Sequence, residues 1–254
     1  MSASSSPKAL LFLGATGGCG LSALRRSLEA GHNCVALCRT PAKLTDKLPS
    51  PTPANLRIEQ GNAHNVDDVA RCLVHPTKGA GHIVDAIVFS IGLLIKMPSM
   101  TLDDPHVCET GIRVLLEALA RLRAEYPAAL ASARPRIHVL STTGITELGR
   151  DVPLAFVPMY HVMLKVPHKD KVAMERRLVA SAEDWTFIRP SLLTDGPSTD
   201  KDIRVGIEDP VAGKVESKAL GYTISREDVG RWIFENLIQE KDDKYVRKAA
   251  TITY

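Results

Sequence analysis

The stretch LLFLGATGGCGLSALRRSLEAGH, from Leu10 to His32, limits the possible folds more than any other part of the chain. A short apolar run, Ala9–Leu13, gives way to glycines at 14, 17 and 20 and then to a helical pattern with Leu21, Leu24 and Leu28 on one face. A glycine costs a helix about 0.8–1 kcal/mol relative to alanine, so three at a helix mouth need a physical reason. Gly14 permits a tight turn off a strand, Gly17 removes a side chain where an anion would approach, and Gly20 lets the helix lie close to a sheet. Gly31 ends the helix in the usual C-terminal position. The unpaired N–H groups and partial positive charge of a helix N-terminus attract phosphate, so Gly14, Ala15, Thr16, Gly17, Gly18, Cys19 and Gly20 form a candidate phosphate cradle.

The rest of the chain repeats the alternation. Strands are expected over 34–38, 56–60, 83–89, 136–141, 185–188 and 245–253, and helices over 21–30, 40–48, 66–73 (capped by Asn65), 103–126, 172–181 and 226–240. Continuous apolar strands separated by helices imply a parallel sheet covered on both faces. The expected fold is therefore α/β: a single-domain, Rossmann-type, doubly wound parallel sheet over residues 1–254. Residues 1–7 read as a flexible N-terminus and the polar, helix-poor stretch 196–218 as a loop-rich, substrate-side insert. The final strand, YVRKAATITY, is expected at an edge or in a dimer contact.

Composition narrows the function classes. The net charge of +3 and 5% aromatic content give no support for a nucleic-acid surface. No run of 18 apolar residues suggests a membrane span, and Ala9–Leu13 is too short for a signal-peptide core. The five cysteines, odd in number and without a CxxC pair, read as reduced thiols of a cytoplasmic protein, and the eight histidines form no HxxxH or HExxH metal motif. A small-molecule substrate is expected, with the protein a monomer or homodimer, no metal, and neither nucleic acid nor membrane as partner.

The GATGGCG loop, LCRTP at the end of the second strand, DWTFIRPSLLTDG and SREDVGRWIFENL together resemble the atypical short-chain dehydrogenase/reductases. Within them the chain looks most like the NmrA-like and biliverdin reductase B-like NAD(P)-binding proteins. In this architecture the end of the second strand meets the adenosine ribose, where an acidic residue suits a 2′-hydroxyl and an arginine suits a 2′-phosphate. The chain carries Arg39 there, with Lys43 four residues on and no Asp or Glu before Asp46, so NADP(H) is expected over NAD(H). The resemblance implies further cofactor contacts after the later strands. Gly61, Asn62 and Ala63 would lie beside the adenine, and Ser90, Ile91 and Gly92 beside the ribose. Ser141, Thr142 and Thr143, with Pro190, Ser191, Leu192 and Leu193, would line the nicotinamide end.

Classical members of the wider superfamily place a Lys four residues after a Tyr, where both share a helix face and the Lys lowers the Tyr pKa. None of the five tyrosines here has that partner. Tyr160 and His161 are the candidate proton donors, and Lys171 is the candidate cofactor or electrostatic residue. Tyr160 equally suits a pocket wall. His168, beside Lys169 and Lys171, reads as a catalytic residue of lowered pKa or as a surface histidine. Three functions fit: an NADPH-dependent reductase of a carbonyl or conjugated acceptor, a dinucleotide sensor without turnover, and a non-redox enzyme that retains the cofactor.

Overall fold

The computed structural model describes residues 6–92, 95–96, 101–102, 104–157, 164–199, 201–240 and 243–254. Most of the flexible N-terminus expected over 1–7 lies outside them. Nine strands form the main sheet: β1 (Ala9–Leu13), β2 (Asn33–Cys38), β3 (Leu56–Gln60), β4 (Ala86–Phe89), β5 (Arg136–Leu140), β6 (Trp185–Pro190), β7 (Arg204–Asp209), β8 (Lys214–Ser217) and β9 (Lys248–Thr253). Their order is β8-β7-β9-β6-β5-β4-β1-β2-β3. Every pairing from β3 across to β9 is parallel, and β7 and β8 close the sheet antiparallel. The order 3-2-1-4-5-6 is that of the Rossmann fold, with the reversal between β1 and β4.

The helices are α1 (Gly18–Glu29), α2 (Ala42–Thr45), α3 (Val66–Leu73), α4 (Val107–Glu125), α5 (Pro127–Leu130), α6 (Lys165–Val179) and α7 (Arg226–Ile233). Helices α3, α4 and α6 cover one sheet face around Leu11, Ile87, Ile112, Leu115, Val139 and Phe187. Helices α1 and α7 cover the other around Phe12, Leu24, Val88, Ile188, Trp232 and Ile233. A Cβ at Gly230 of α7 would come 2.3 Å from Ser22 Cβ of α1, so only glycine permits this close helix approach.

Several local expectations shift. The insert expected as loop over 196–218 contains β7 and β8, joined through Gly213 at φ +64°. Their charged sequences, RVGIED and KVES, hid them: β8 is the outermost strand, where an edge meets water and carries polar side chains, and β7 lies next to it. This hairpin makes the C-terminal strand interior: β9 pairs with β6 on one side and β7 on the other, which corrects its expected place at an edge. Helix α6 starts at Lys165 rather than 172 and accommodates Pro167, because the first turn needs no N–H there. The strand expected over 83–89 divides into β4 and the antiparallel partner, Gly79–Ile83, of Val74–His75. The last helix becomes π-helical over Phe234–Gln239. Asn65 caps α3 by accepting from Asp68 N.

Candidate dinucleotide site

The glycine loop lies at the sheet's reversal point. Gly14 leaves β1 at φ +99°, and a Cβ there would meet backbone atoms of Ser90 at 2.7 and 2.8 Å. A Cβ at Gly20 would come 2.2 Å from Ser90 Oγ and 2.8 Å from Gly14 O. These two glycines are therefore demanded by packing between the ends of β1 and β4. Ser90 Oγ donates to the carbonyls of Leu13 (3.2 Å) and Gly14 (3.1 Å), which ties the two strand ends together.

Gly17 differs: its backbone is extended, and the nearest atom to a Cβ there is Lys47 Nζ at 3.6 Å. It is the N-cap of α1, without a side-chain cap and with no acidic residue in the first turn. The N–H groups at the start of α1, including those of Gly18, Cys19 and Gly20, thus carry the local positive charge expected of an anion site. Ala15 and the Cys19 side chain point into the core, Thr16 is half-buried, and burial pushes the Cys19 thiol up to about 12. This glycine-lined, uncapped helix end fits a dinucleotide pyrophosphate.

Arg39 follows β2 and is exposed, as is Lys43 on α2, and the buried Leu44 anchors α2 against the core. The next loop is fixed by Asp68, which accepts from Asn62 N at 2.8 Å. A Cβ at Gly61 would come 2.7 Å from the Asp68 carboxyl carbon, so the Gly61–Asn62–Ala63 turn sits close on α3. Gly92 is exposed in open space. Ile91 O accepts from Lys171 Nζ at 3.1 Å, and the same ammonium donates to Leu140 O at 2.6 Å. Lys171 therefore clamps the C-terminal ends of β4 and β5 beside the reversal point.

At the expected nicotinamide end the hydroxyls are largely engaged within the protein. Ser141 Oγ donates to Glu175 at 2.5 Å, Thr143 Oγ1 to Pro190 O at 3.2 Å, and Thr142 Oγ1 to Thr143 O at 3.1 Å. Ser191 Oγ shares a hydrogen bond with Thr253 Oγ1 at 2.9 Å. Pro190 is buried, whereas Leu192 and Leu193 reach the surface on a short strand, Leu192–Thr194, that pairs with Thr223–Ser225. Tyr160 and His161 lie outside the described residues. His168 is half-buried and lines a cavity of about 990 Å³ with Val172, Arg176 and Gly144, on a different flank of α6 from Lys171.

Two buried charge clusters shape the loops around this end, and the sequence reading missed both. Arg189, at the end of β6, donates to Glu175 through Nε (3.1 Å) and Nη2 (2.6 Å), and to Glu208 through Nη1 (2.6 Å). Glu208 also accepts from Thr146 Oγ1 at 2.8 Å, while Asp151 accepts from Gly144 N at 3.0 Å, so the cluster pins the loop after β5. Burial pushes the Asp151 carboxyl up to about 6, against the lowering influence of Gly144 N–H and Arg189. The second centre is Asp228 of α7, fully buried, which accepts from Ser198 Oγ, Thr199 N and Oγ1, Ser225 Oγ, Tyr254 OH and Arg231 Nε. Burial alone would raise its pKa, but the hydrogen bonds from Ser198, Tyr254, Thr199 and Ser225 outweigh it and hold the carboxyl well below the usual range. The only sequence signal for these groups was charge inside or beside apolar runs, as in FIRPS and SREDVG.

Sheet order, reversal point and uncapped glycine loop define a dinucleotide-binding protein of the Rossmann class. A family model described as NAD(P)H-binding matches residues 14–240, and the chain belongs to that family. It is 43% identical over 274 aligned positions to "Reductase pytE" of Aspergillus terreus, covering 99% of this chain and all of that one. It is 34% identical over 281 positions to "Oxidase pynE" of Aspergillus niger, covering 96% and 98%. Among solved structures, a short-chain dehydrogenase/reductase from Veillonella parvula in complex with NADP superposes with a TM-score of 0.68 at 14% identity, over 97% of this chain and 94% of that one. That likeness concerns the fold. No helix among the described residues is long and apolar enough to cross a membrane.

Proposed function

We propose that the protein is an NADP(H)-dependent oxidoreductase that reduces a carbonyl or conjugated double bond of a small molecule. The observation that carries this reading is the uncapped N-terminus of α1, opened by Gly17, with the exposed Arg39 and Lys43 following the neighbouring strand β2 and no acidic residue before Asp46. A nicotinamide dinucleotide bound there would supply a hydride to the acceptor. The chain's own residues hold and orient it. The α1 amides take the pyrophosphate, and Arg39 with Lys43 takes the 2′-phosphate by charge-assisted hydrogen bonds. Lys171, fixed by two carbonyls, places positive charge where an acceptor oxygen would gain electron density. Tyr160 and His161 remain the proposed proton donors. Relatives named as a reductase and an oxidase support redox chemistry at this site.

Paired titrations with NADPH and NADH, followed by 340 nm absorbance across quinones, flavins and ketones, test the reading. NADPH should bind more tightly and be consumed with at least one acceptor class. Arg39→Ala should weaken NADPH about tenfold or more while leaving NADH unchanged. Equal losses would remove the 2′-phosphate assignment. A second reading, dinucleotide binding without turnover, is favoured by the missing Tyr–Lys pair and by the engagement of the Ser141 hydroxyl with Glu175. Tight binding with no consumption of NADPH would select it.

A further inference from the structure

Two cations stand on opposite sides of the α1 N-terminus. The Lys47 ammonium donates to Thr16 O at 2.7 Å and lies 3.6 Å from where a Cβ of Gly17 would be. Its own carbonyl accepts from Arg25 Nη2 of α1 at 2.6 Å, so Lys47 is tied to the helix through both backbone and side chain. On the other side, Arg226 Cδ and Nε lie 3.3 and 3.8 Å from the corresponding point on Gly18. Arg226 is the first residue of α7, and α7 packs alongside α1 with Ser22 Oγ donating to Glu227 O at 3.0 Å.

Helix N-termini favour negative charge and disfavour cations. Here the first turn of α1 carries no acid, and a lysine and an arginine flank it instead. Among the described residues Lys47 has no carboxylate partner. Arg226 has one, the highly exposed Asp195, at 2.7 Å. Two cations beside an acid-free helix N-terminus make a locally positive surface, which an anion would complement.

We propose that Lys47 and Arg226 form a two-sided clamp on the diphosphate bridge of the dinucleotide, Lys47 from the α2 side and Arg226 from the α7 side. The proposal rests on the dinucleotide reading and assigns it two further binding residues. The diphosphate is common to NADPH and NADH, so the clamp strengthens both, whereas Arg39 is assigned to the 2′-phosphate alone. Lys47 is already held at the loop, so little side-chain freedom is lost when the ligand arrives.

The test measures NADPH and NADH affinity of the full chain at low and high salt for wild type, K47M, K47R, R226M and D195N, with thermal unfolding to verify folding. K47M and R226M should each weaken both cofactors by the same factor, about tenfold, while K47R retains binding. The salt dependence should flatten in both methionine variants, because a screened ion contact has been removed. D195N, which frees the guanidinium, should bind at least as well as wild type. Loss of NADPH affinity alone in K47M would place Lys47 on the 2′-phosphate and overturn the clamp. Unaltered salt dependence would make Lys47 a mere staple of the loop, and a D195N loss equal to that of R226M would reduce Arg226 to holding the 195 loop. Either result overturns the corresponding half. Wild type failing to bind either cofactor would instead refute the dinucleotide reading, whereas wild-type binding with unaffected variants refutes the clamp by itself.

Discussion

Alanine at two glycines of one loop should separate architecture from ligand binding. In Gly14→Ala the new Cβ meets Ser90 C, Ser90 O and Ile91 N at 2.7, 2.8 and 2.9 Å, all backbone atoms that no rotamer change moves. The backbone also stands at φ +99°, which costs a non-glycine residue about 1–3 kcal/mol. Overpacking against the end of β4 adds about 1–3 kcal/mol. The sum, about 2–6 kcal/mol, is a large share of the roughly 5–15 kcal/mol that stabilises a domain. At about 2–4 °C per kcal/mol for a chain of this size, Tm should fall by about 5–20 °C. In Gly17→Ala the backbone is extended and the nearest neighbour, the Lys47 ammonium at 3.6 Å, is at ordinary van der Waals distance. Changing an N-cap from glycine to alanine costs on the order of 0.5–1 kcal/mol, and the stiffer unfolded chain returns about 0.4–1 kcal/mol. Tm should stay within about 2 °C of wild type on that balance. A methyl group at the mouth of α1 would nonetheless obstruct the pyrophosphate, and NADPH affinity should drop at least about tenfold. Thermal unfolding by circular dichroism and NADPH fluorescence titration read the two effects. If Gly17→Ala melts like Gly14→Ala, or keeps full affinity, the division of roles in the loop is wrong.

Four other substitutions probe the buried charges and their hydrogen bonds. Asp151→Asn should raise Tm at pH 8. The folded-state pKa of about 6 exceeds the ordinary value of 3.8, so the stability present in acid is lost as pH rises from about 4 through 6, by an order of 2–3 kcal/mol. The difference between variant and wild type should therefore vanish near pH 4, and subtraction removes the opposite trend of His138, whose pKa burial pushes down to about 3. Asp228→Asn replaces one acceptor with a donor facing Ser198, Thr199 and Tyr254. It should cost about 3–5 kcal/mol and open the 195–203 segment to limited proteolysis. An intact segment and unchanged Tm would deny Asp228 its role. Glu175→Gln removes half of the charge around Arg189 and should lower Tm by about 6–15 °C, while Ser141→Ala, which leaves both ion pairs in place, should change it by only a few degrees.

Local backbone chemistry made the glycine turn and the ends of its helix readable in advance. Gly14, Gly20 and Gly31 occur where φ or packing admits little else, and the Asn65 cap follows from the residues it adjoins. Long-range pairing was not readable in the same way. β7 and β8 became strands because β9 offered them an edge, and RVGIED carries no periodicity strong enough to announce that. Lys47 carries no signal in the sequence, since only the fold brings residue 47 onto the carbonyl of residue 16. Ser141 had the reverse fate. Its place at the end of β5 suggested a ligand contact, but Glu175 lies one helix later and takes the hydroxyl.

These contrasts give the two ends of the site different physical origins. The glycine turn is set by main-chain geometry, with Gly14 and Gly20 demanded by packing against Ser90. Loops 144–151 and 192–199 instead hang on a few buried charged side chains: Glu175, Arg189, Glu208 and Asp151 for the first, Asp228 for the second. Several of the bonds in these clusters join residues far apart in sequence, 62 residues for Thr146 and Glu208, so one change can shift a whole loop without touching the glycine turn. Under the proposed oxidoreductase reading, selection for a new acceptor would act on these loops while the glycine turn stays fixed.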